Sequence, residues 1–149
     1  MTTRFRVWDG SEIHYLHSDG DGKFMLGWDV HGWHVSKEQS DSTWRCIAES
    51  FDSGHVLMQS TGLTDSEGTE IWEGDIIERC QKGVHRSDAE PHHLFIGLVV
   101  WGGNGAWHCE EHSSPAGGSF LLHRALGNAR VIGNRYEDPH LLEQGAEAT

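Results

Sequence analysis

The residues best suited to chemistry cluster in the second half of the chain. His108, Cys109 and His112 fall within five positions, beside Glu110 and Glu111, in a chain that carries twelve histidines. Imidazole nitrogen and thiolate sulfur are the donors zinc prefers, so this group is the first place to look for a metal centre. Two features count against it. Neighbouring side chains on an extended strand point to opposite faces, so only one of His108 and Cys109 can share a site with His112. Zinc sites also usually draw on two such pairs. Here the second would have to come from Cys80 and His85, or from His92 and His93, on a long polar segment that would have to fold back. The expectation is no metal and no cofactor, with His108, Cys109 and His112 as the weak candidates.

Covalent catalysis needs Ser or Cys held beside a base and an oxyanion hole. There is no GxSxG, and Cys109 is only a sequence neighbour of His108, so a partly buried structural thiol is the simpler reading. Glu110 with Glu111, and Asp88 with Glu90, fall in loops or on opposite faces of a strand, where carboxylates are ordinarily solvated. No GxxxxGK[ST] or GxGxxG phosphate cradle occurs, and Gly102-Gly103-Asn104-Gly105 matches neither. Asp19-Gly20-Asp21-Gly22 opens like a calcium loop but lacks the downstream bidentate Glu, and reads as a turn. No catalytic residue is assigned, and the chain is read as a non-enzyme.

Aromatic residues offer more. Among seven tryptophans, Trp28 and Trp33 belong to two Gly-Trp pairs five residues apart, and Trp101 and Trp107 flank a glycine-rich turn. Such residues form core or subunit contacts, or platforms on which a base can stack. A nucleotide-like ligand would also need Arg4, Arg6, Arg130 or Arg135 nearby for its phosphate. Two further expectations therefore stand behind the first: a small-ligand binder with Trp28, Trp33, Trp101 and Trp107 lining pockets between subunits, and a metal-dependent enzyme centred on His108 and His112.

Charge narrows the partners. The sequence has 23 acidic and 11 basic residues, a net charge of -12 at neutral pH, which repels a phosphate backbone. Direct nucleic-acid binding is unexpected; a basic protein surface suits better. Three cysteines, odd in number and without a CxxC pair, form no disulfide framework and fit reduced thiols in cytoplasm. Neither a signal segment nor an apolar span of membrane length is present, so a soluble cytoplasmic protein without membrane contact is expected.

The elements that must position these residues are short. With 149 residues, nineteen glycines and three prolines, the chain reads as one all-β domain with little helix. Alternation marks Arg4 to Asp9 as a half-buried strand, and Glu12 to His17 as a second. The turn at 19–22 should close a hairpin into Lys23 to Trp28. Lys37 to Ser42 is a polar loop, Thr43 to Ala48 a strand, and Glu49 to Gly54 another loop. His55 to Gln59 is a strand expected to stop at Ser60-Thr61-Gly62. Thr64 to Gly68 is a turn in which Asp or Ser bonds backbone and Gly68 takes positive φ. Thr69 to Glu73 is extended, Gly74-Asp75 punctuates, and Ile76 to Cys80 is a strand. Gln81 to His93 is a long loop, and Leu94 to Trp101 is the central strand, with Gly97 at a bend or close approach. After a reversal at 102–105 come strands at Ala106 to Glu110, Phe120 to Leu126 and Ala129 to Asn134. The loop 113–119 and a Gly127-Asn128 turn separate them. Asp138 and Pro139 should start a short terminal helix, with Leu141 and Leu142 packing back. From Gly74 onward this is the strand order of an SH3-like barrel.

The segment LMQSTGLTDSEGTEIWEGDII, Leu57 to Ile77, resembles the signature of the YopX family of phage and prophage proteins, usually close to TGLKDKNGKEIYEGDIV. Arg4 to Asp9 resembles the family's opening KFRAWD, and Val131 to Pro139 its closing VIGNIYENPEL. The resemblance implies an SH3-like barrel in the C-terminal half packed on an N-terminal β region: 1–60 the N-terminal region, 61–75 a joint, 76–138 the barrel, 139–149 helix and tail. It also implies a homo-oligomer. By analogy with small acidic phage proteins, the partner would be a host or defence protein with a basic surface. Glu73, Gly74 and Asp75 read as fold chemistry: the glycine permits a bend and Asp75 accepts the amides that hold it.

Overall fold

The computed structural model describes residues 4–17, 22–80, 94–112, 118–124, 126 and 129–147. They are mainly β, with one short helix, as the composition predicts. The chain divides into two compact units, Met1–Ser60 and Thr61–Thr149.

In the first unit β1 (Phe5–Trp8) lies between β2 (Ile13–Tyr15) and the start of β6 (Val56–Thr64), antiparallel to both. Val7 stands opposite His14 on one side and Leu57 on the other. Arg6, expected on a solvent face, is instead 2% exposed beside fully buried Met58, because β1 is covered on both faces. A three-stranded meander follows: β3 (Phe24–Asp29), β4 (Gly32–Glu38) and β5 (Trp44–Glu49). Here the expected hairpin between the second and third strands is not formed. β3 pairs with β4, and β2 stays in the other sheet, because Asp29-Val30-His31-Gly32 is itself a tight turn. Its Asp29 carboxylate accepts the His31 amide at 2.7 Å, and Gly32 takes φ of 115°. Lys37 and Glu38, read as loop, belong to β4. The core of this unit is small: Val7, Val35 and Ala48, with Phe24, Leu26, Trp33, Ile47 and Leu57 packed around them.

β6 does not stop at Ser60. It continues through Gly62, which takes φ of 75°, into the second unit, where β7 (Glu70–Trp72) lies beside it. The turn between them is built on Asp65, a buried carboxylate. One oxygen accepts the amides of Glu67 and Thr69, both at 2.9 Å, and the other accepts the Val131 amide at 2.9 Å. Gly68 has φ of 85° there, as the turn demands. Gly74 bends the chain at φ of 86°, and Asp75 accepts the Trp72 amide at 2.8 Å. The motif residues thus do structural work.

An antiparallel sheet completes the second unit in the order β11-β10-β9-β8-β12: β8 (Asp75–Cys80), β9 (Leu94–Trp101), β10 (Trp107–Glu111), β11 (Ser119–Leu121) and β12 (Ala129–Asn134). This is consistent with an SH3-like barrel. Gly97 is required where expected, since a Cβ would strike Cys109 Sγ. Ile71, Ile77, Val99, Cys109, Leu122 and Ala129 form the core. The strand expected over Phe120 to Leu126 ends at Leu121 and turns into a 3-10 helix (Leu122–Arg124), which buries Leu122 completely. Helix α1 (His140–Glu147) packs on β9. Asp138 starts it through its carbonyl, which accepts the Leu141 amide, while its carboxylate turns back to the Asn134 amide. The loop expected over Gln81 to His93, most of that over 113–119 and the Gly127-Asn128 turn lie outside the described residues.

Candidate functional site

The four singled-out tryptophans fall into two cross-strand pairs, one per unit. Trp28 on β3 stands opposite Trp33 on β4, one step from the turn. Trp33 packs on the core of the first unit, whereas Trp28 is 60% exposed, its ring edge-on to Phe5 at 6.2 Å. Antiparallel pairing places Gly27, His34 and Glu49 in one cross-strand row, and the His34 ring lies so close over Gly27 that a Cβ there would meet Nε2 at 2.7 Å. Around this row is an open cleft lined by Asp29, His31, Gly32, Trp33, His34, Cys46, Glu49 and Phe51. Met25, Trp44 and Phe51 are exposed large apolar residues of the same unit, and Val30 forms the hairpin tip.

In the second unit Trp101 stands opposite Trp107, on either side of the turn 102–106. Their rings meet nearly edge to face at 4.8 Å, an arrangement favourable to aromatic quadrupoles. Trp107 packs on the core and Trp101 is 53% exposed. The turn is held by the Gly102 amide on the Ala106 carbonyl at 2.8 Å and by His108 Nε2 against Asn104 Oδ1 at 3.0 Å.

The structure does not bring His108, Cys109 and His112 together. Cys109 is fully buried in the core, and His108 turns to the other face, towards Asn104. His112 lies 3.9 Å from Glu110. Burial, reinforced by the charges of Glu110 and Glu111, pushes the Cys109 thiol up to about 12, which makes it inert as a nucleophile. His85, His92 and His93 lie outside the described residues.

The candidate phosphate-binding arginines have other work. Arg6 is buried, with Nη1 donating to the Tyr15 hydroxyl at 3.4 Å, Arg130 is paired with Glu78, and the Arg135 guanidinium lies over the Tyr136 ring. Arg4 is exposed.

One constellation went unrecognised in the sequence. Asp9, Glu12 and His14 meet at the β1–β2 turn, with ligand-type atoms all within 4.8 Å of one another, the one such group among the described residues. Asp9 Oδ1 accepts the amides of Ser11 and Glu12, each at 2.8 Å, while Oδ2 lies 2.8 Å from His14 Nε2. Burial alone would raise the Asp9 pKa. Hydrogen bonds from His14, Glu12 and Ser11 outweigh it and hold the carboxyl well below the usual range. A divalent cation could sit there only by displacing the His14 hydrogen bond, and the arrangement already explains the turn. The signal was present as Asp-Gly-Ser-Glu followed by His two residues later, at the junction of the two expected strands.

A family model described as YopX protein matches residues 4–143. The chain is similar to the crystal structure of protein yopX from Bacillus subtilis, with 21% identity and a TM-score of 0.67 over 95% of this chain and 98% of that one. It is also similar to protein EF1440 from Enterococcus faecalis, with 22% identity and a TM-score of 0.53 over 95% and 99%. These likenesses bear on the fold. No curated protein sequence matches the chain.

Proposed function

The chain belongs to the YopX family, and from that premise we propose that it is a non-enzymatic phage or prophage accessory protein that self-associates and acts by binding a basic host or defence protein in the cytoplasm. The observation that carries this reading is the distribution of exposed apolar side chains. Met25, Trp28, Val30, Trp44 and Phe51 are all exposed within 27 consecutive residues of the first unit. Large apolar residues exposed in one unit of a small, strongly acidic chain supply what an interface needs, and tryptophan is among the residue types enriched where binding energy concentrates. Charge of -12 supplies the long-range attraction to a cationic partner. A phosphate-bearing ligand finds less support, because Arg6, Arg130 and Arg135 are engaged elsewhere.

Native mass measurement at micromolar concentration tests the self-association. The expected result is a discrete oligomer that Trp28→Ser with Trp44→Ser shifts to monomer without loss of the folded spectrum. A wild-type monomer overturns it. Among the described residues no helix is long and apolar enough to cross a membrane.

A further inference from the structure

We infer that the open cleft of the first unit receives an arginine side chain of a basic protein partner, an inference that rests on the binding role proposed above. The cleft measures about 280 Å3. That is at the small end of the roughly 300–1,000 Å3 typical of small-molecule sites, and large enough for one inserted side chain.

Its chemistry selects a planar cation. Asp29 and Glu49 line it, and no Lys or Arg does among the described residues. Asp29 is already aimed: its Oδ1 is fixed by the His31 amide at 2.7 Å, and its Oδ2 lies 3.9 Å from His34 Nδ1. Glu49 enters from the next strand, opposite His34 in register. Phe51 supplies an aromatic wall, 68% exposed and held beside the His31 ring at a centroid distance of 5.7 Å. A guanidinium can lie over that ring while its fork of N–H donors faces the carboxylates. A lysine ammonium would keep the charge but lose stacking and fork. Anions are repelled by both carboxylates and by the net charge. The donors here do not converge as a metal cage does; among the described residues that grouping occurs only at Asp9, Glu12 and His14.

The test uses the full chain, labelled with nitrogen-15 and titrated with N-acetyl-arginine N-methylamide, with the lysine and norleucine analogues in parallel. Saturable shifts should concentrate in amides of residues 29–34 and 46–51, with arginine binding tighter than lysine and norleucine producing none. Glu49→Gln and Phe51→Ala change exposed side chains, and each should weaken arginine binding about two- to fivefold while leaving the rest of the spectrum in place. Equal response to lysine, shifts spread away from the cleft, or undiminished binding by both variants overturns the inference. Native mass reads the proposed self-association separately: a silent cleft in a protein that still forms an oligomer removes the arginine site and leaves the self-association standing.

Discussion

In the first unit, Trp28 and Trp33 face each other across a hairpin within a stretch that also exposes Met25, Trp44 and Phe51. In the second, Trp101 and Trp107 face each other across a similar hairpin, but the two rings are spent on one another at 4.8 Å. The cores differ in the opposite sense. Among the described residues, the buried cluster of the first unit has three members, Val7, Val35 and Ala48, and that of the second has six. Among the described residues, five exposed large apolar side chains belong to the first unit and one, Trp101, to the second, so apolar side chains are weighted inward in one unit and outward in the other. Burial stabilises a fold, whereas exposed apolar side chains are the observation on which the proposed interface rests.

Truncating the larger core should cost most. Ile77→Ala, at a fully buried position, is expected to lower stability by roughly 2–5 kcal/mol in urea unfolding. Val35→Ala in the smaller core removes less apolar volume and should cost about 1–3 kcal/mol; an equal loss would erase the contrast. Between these lies Asp65→Ala, which strips three amides of their acceptor and should cost about 2–3 kcal/mol. A loss of only a few tenths would mean that this motif residue is not structural. The two units should also differ in thiol chemistry. Cys46 is exposed and Cys109 buried, so iodoacetamide at pH 8 should modify Cys46 in the native protein and reach Cys109 only after unfolding. Rapid labelling of Cys109 would show that the second core is open. The smallest effect belongs to Asp9. Its folded pKa lies below the unfolded value of about 3.9, so its contribution is present above that pH and is lost as pH falls below it. Asp9→Asn should therefore destabilise the protein more at pH 7 than near pH 2, measured by thermal unfolding at both.

Much of this was legible in the residues. The alternation of the first strand, the apolar run of the central strand with its obligatory Gly97, and the turn chemistry of Asp65, Gly68, Gly74 and Asp75 all have local causes. Pairing was less legible. By sequence, Asp29-Val30-His31-Gly32 and residues 19–22, the latter mostly outside the described residues, are both turn candidates, and the first joins strands that share a core through Leu26 and Val35. The extension of β6 past Gly62 depends on a partner, β7, several residues further on, and a local breaker signal cannot report that. The four tryptophans could be singled out by type and spacing, but not their division into exposed Trp28 and Trp101 and core-packed Trp33 and Trp107. Sequence missed Phe51, read as loop, and the Asp9–His14 contact, because two atoms meet only after the hairpin closes.

The pairing of β8 with β12 joins Asp75 to Asn134. Every other neighbour in that sheet is closer in sequence, so this contact closes the largest loop and is expected among the last to form as the chain folds. A chain still lacking residues 129–134 would already hold β8 against β9, with the outer edge of β8 bare and rich in isoleucine. Such an edge templates pairing with other chains. Shortening the protein from its C-terminal end should therefore convert it into an aggregating species well before it removes either tryptophan hairpin.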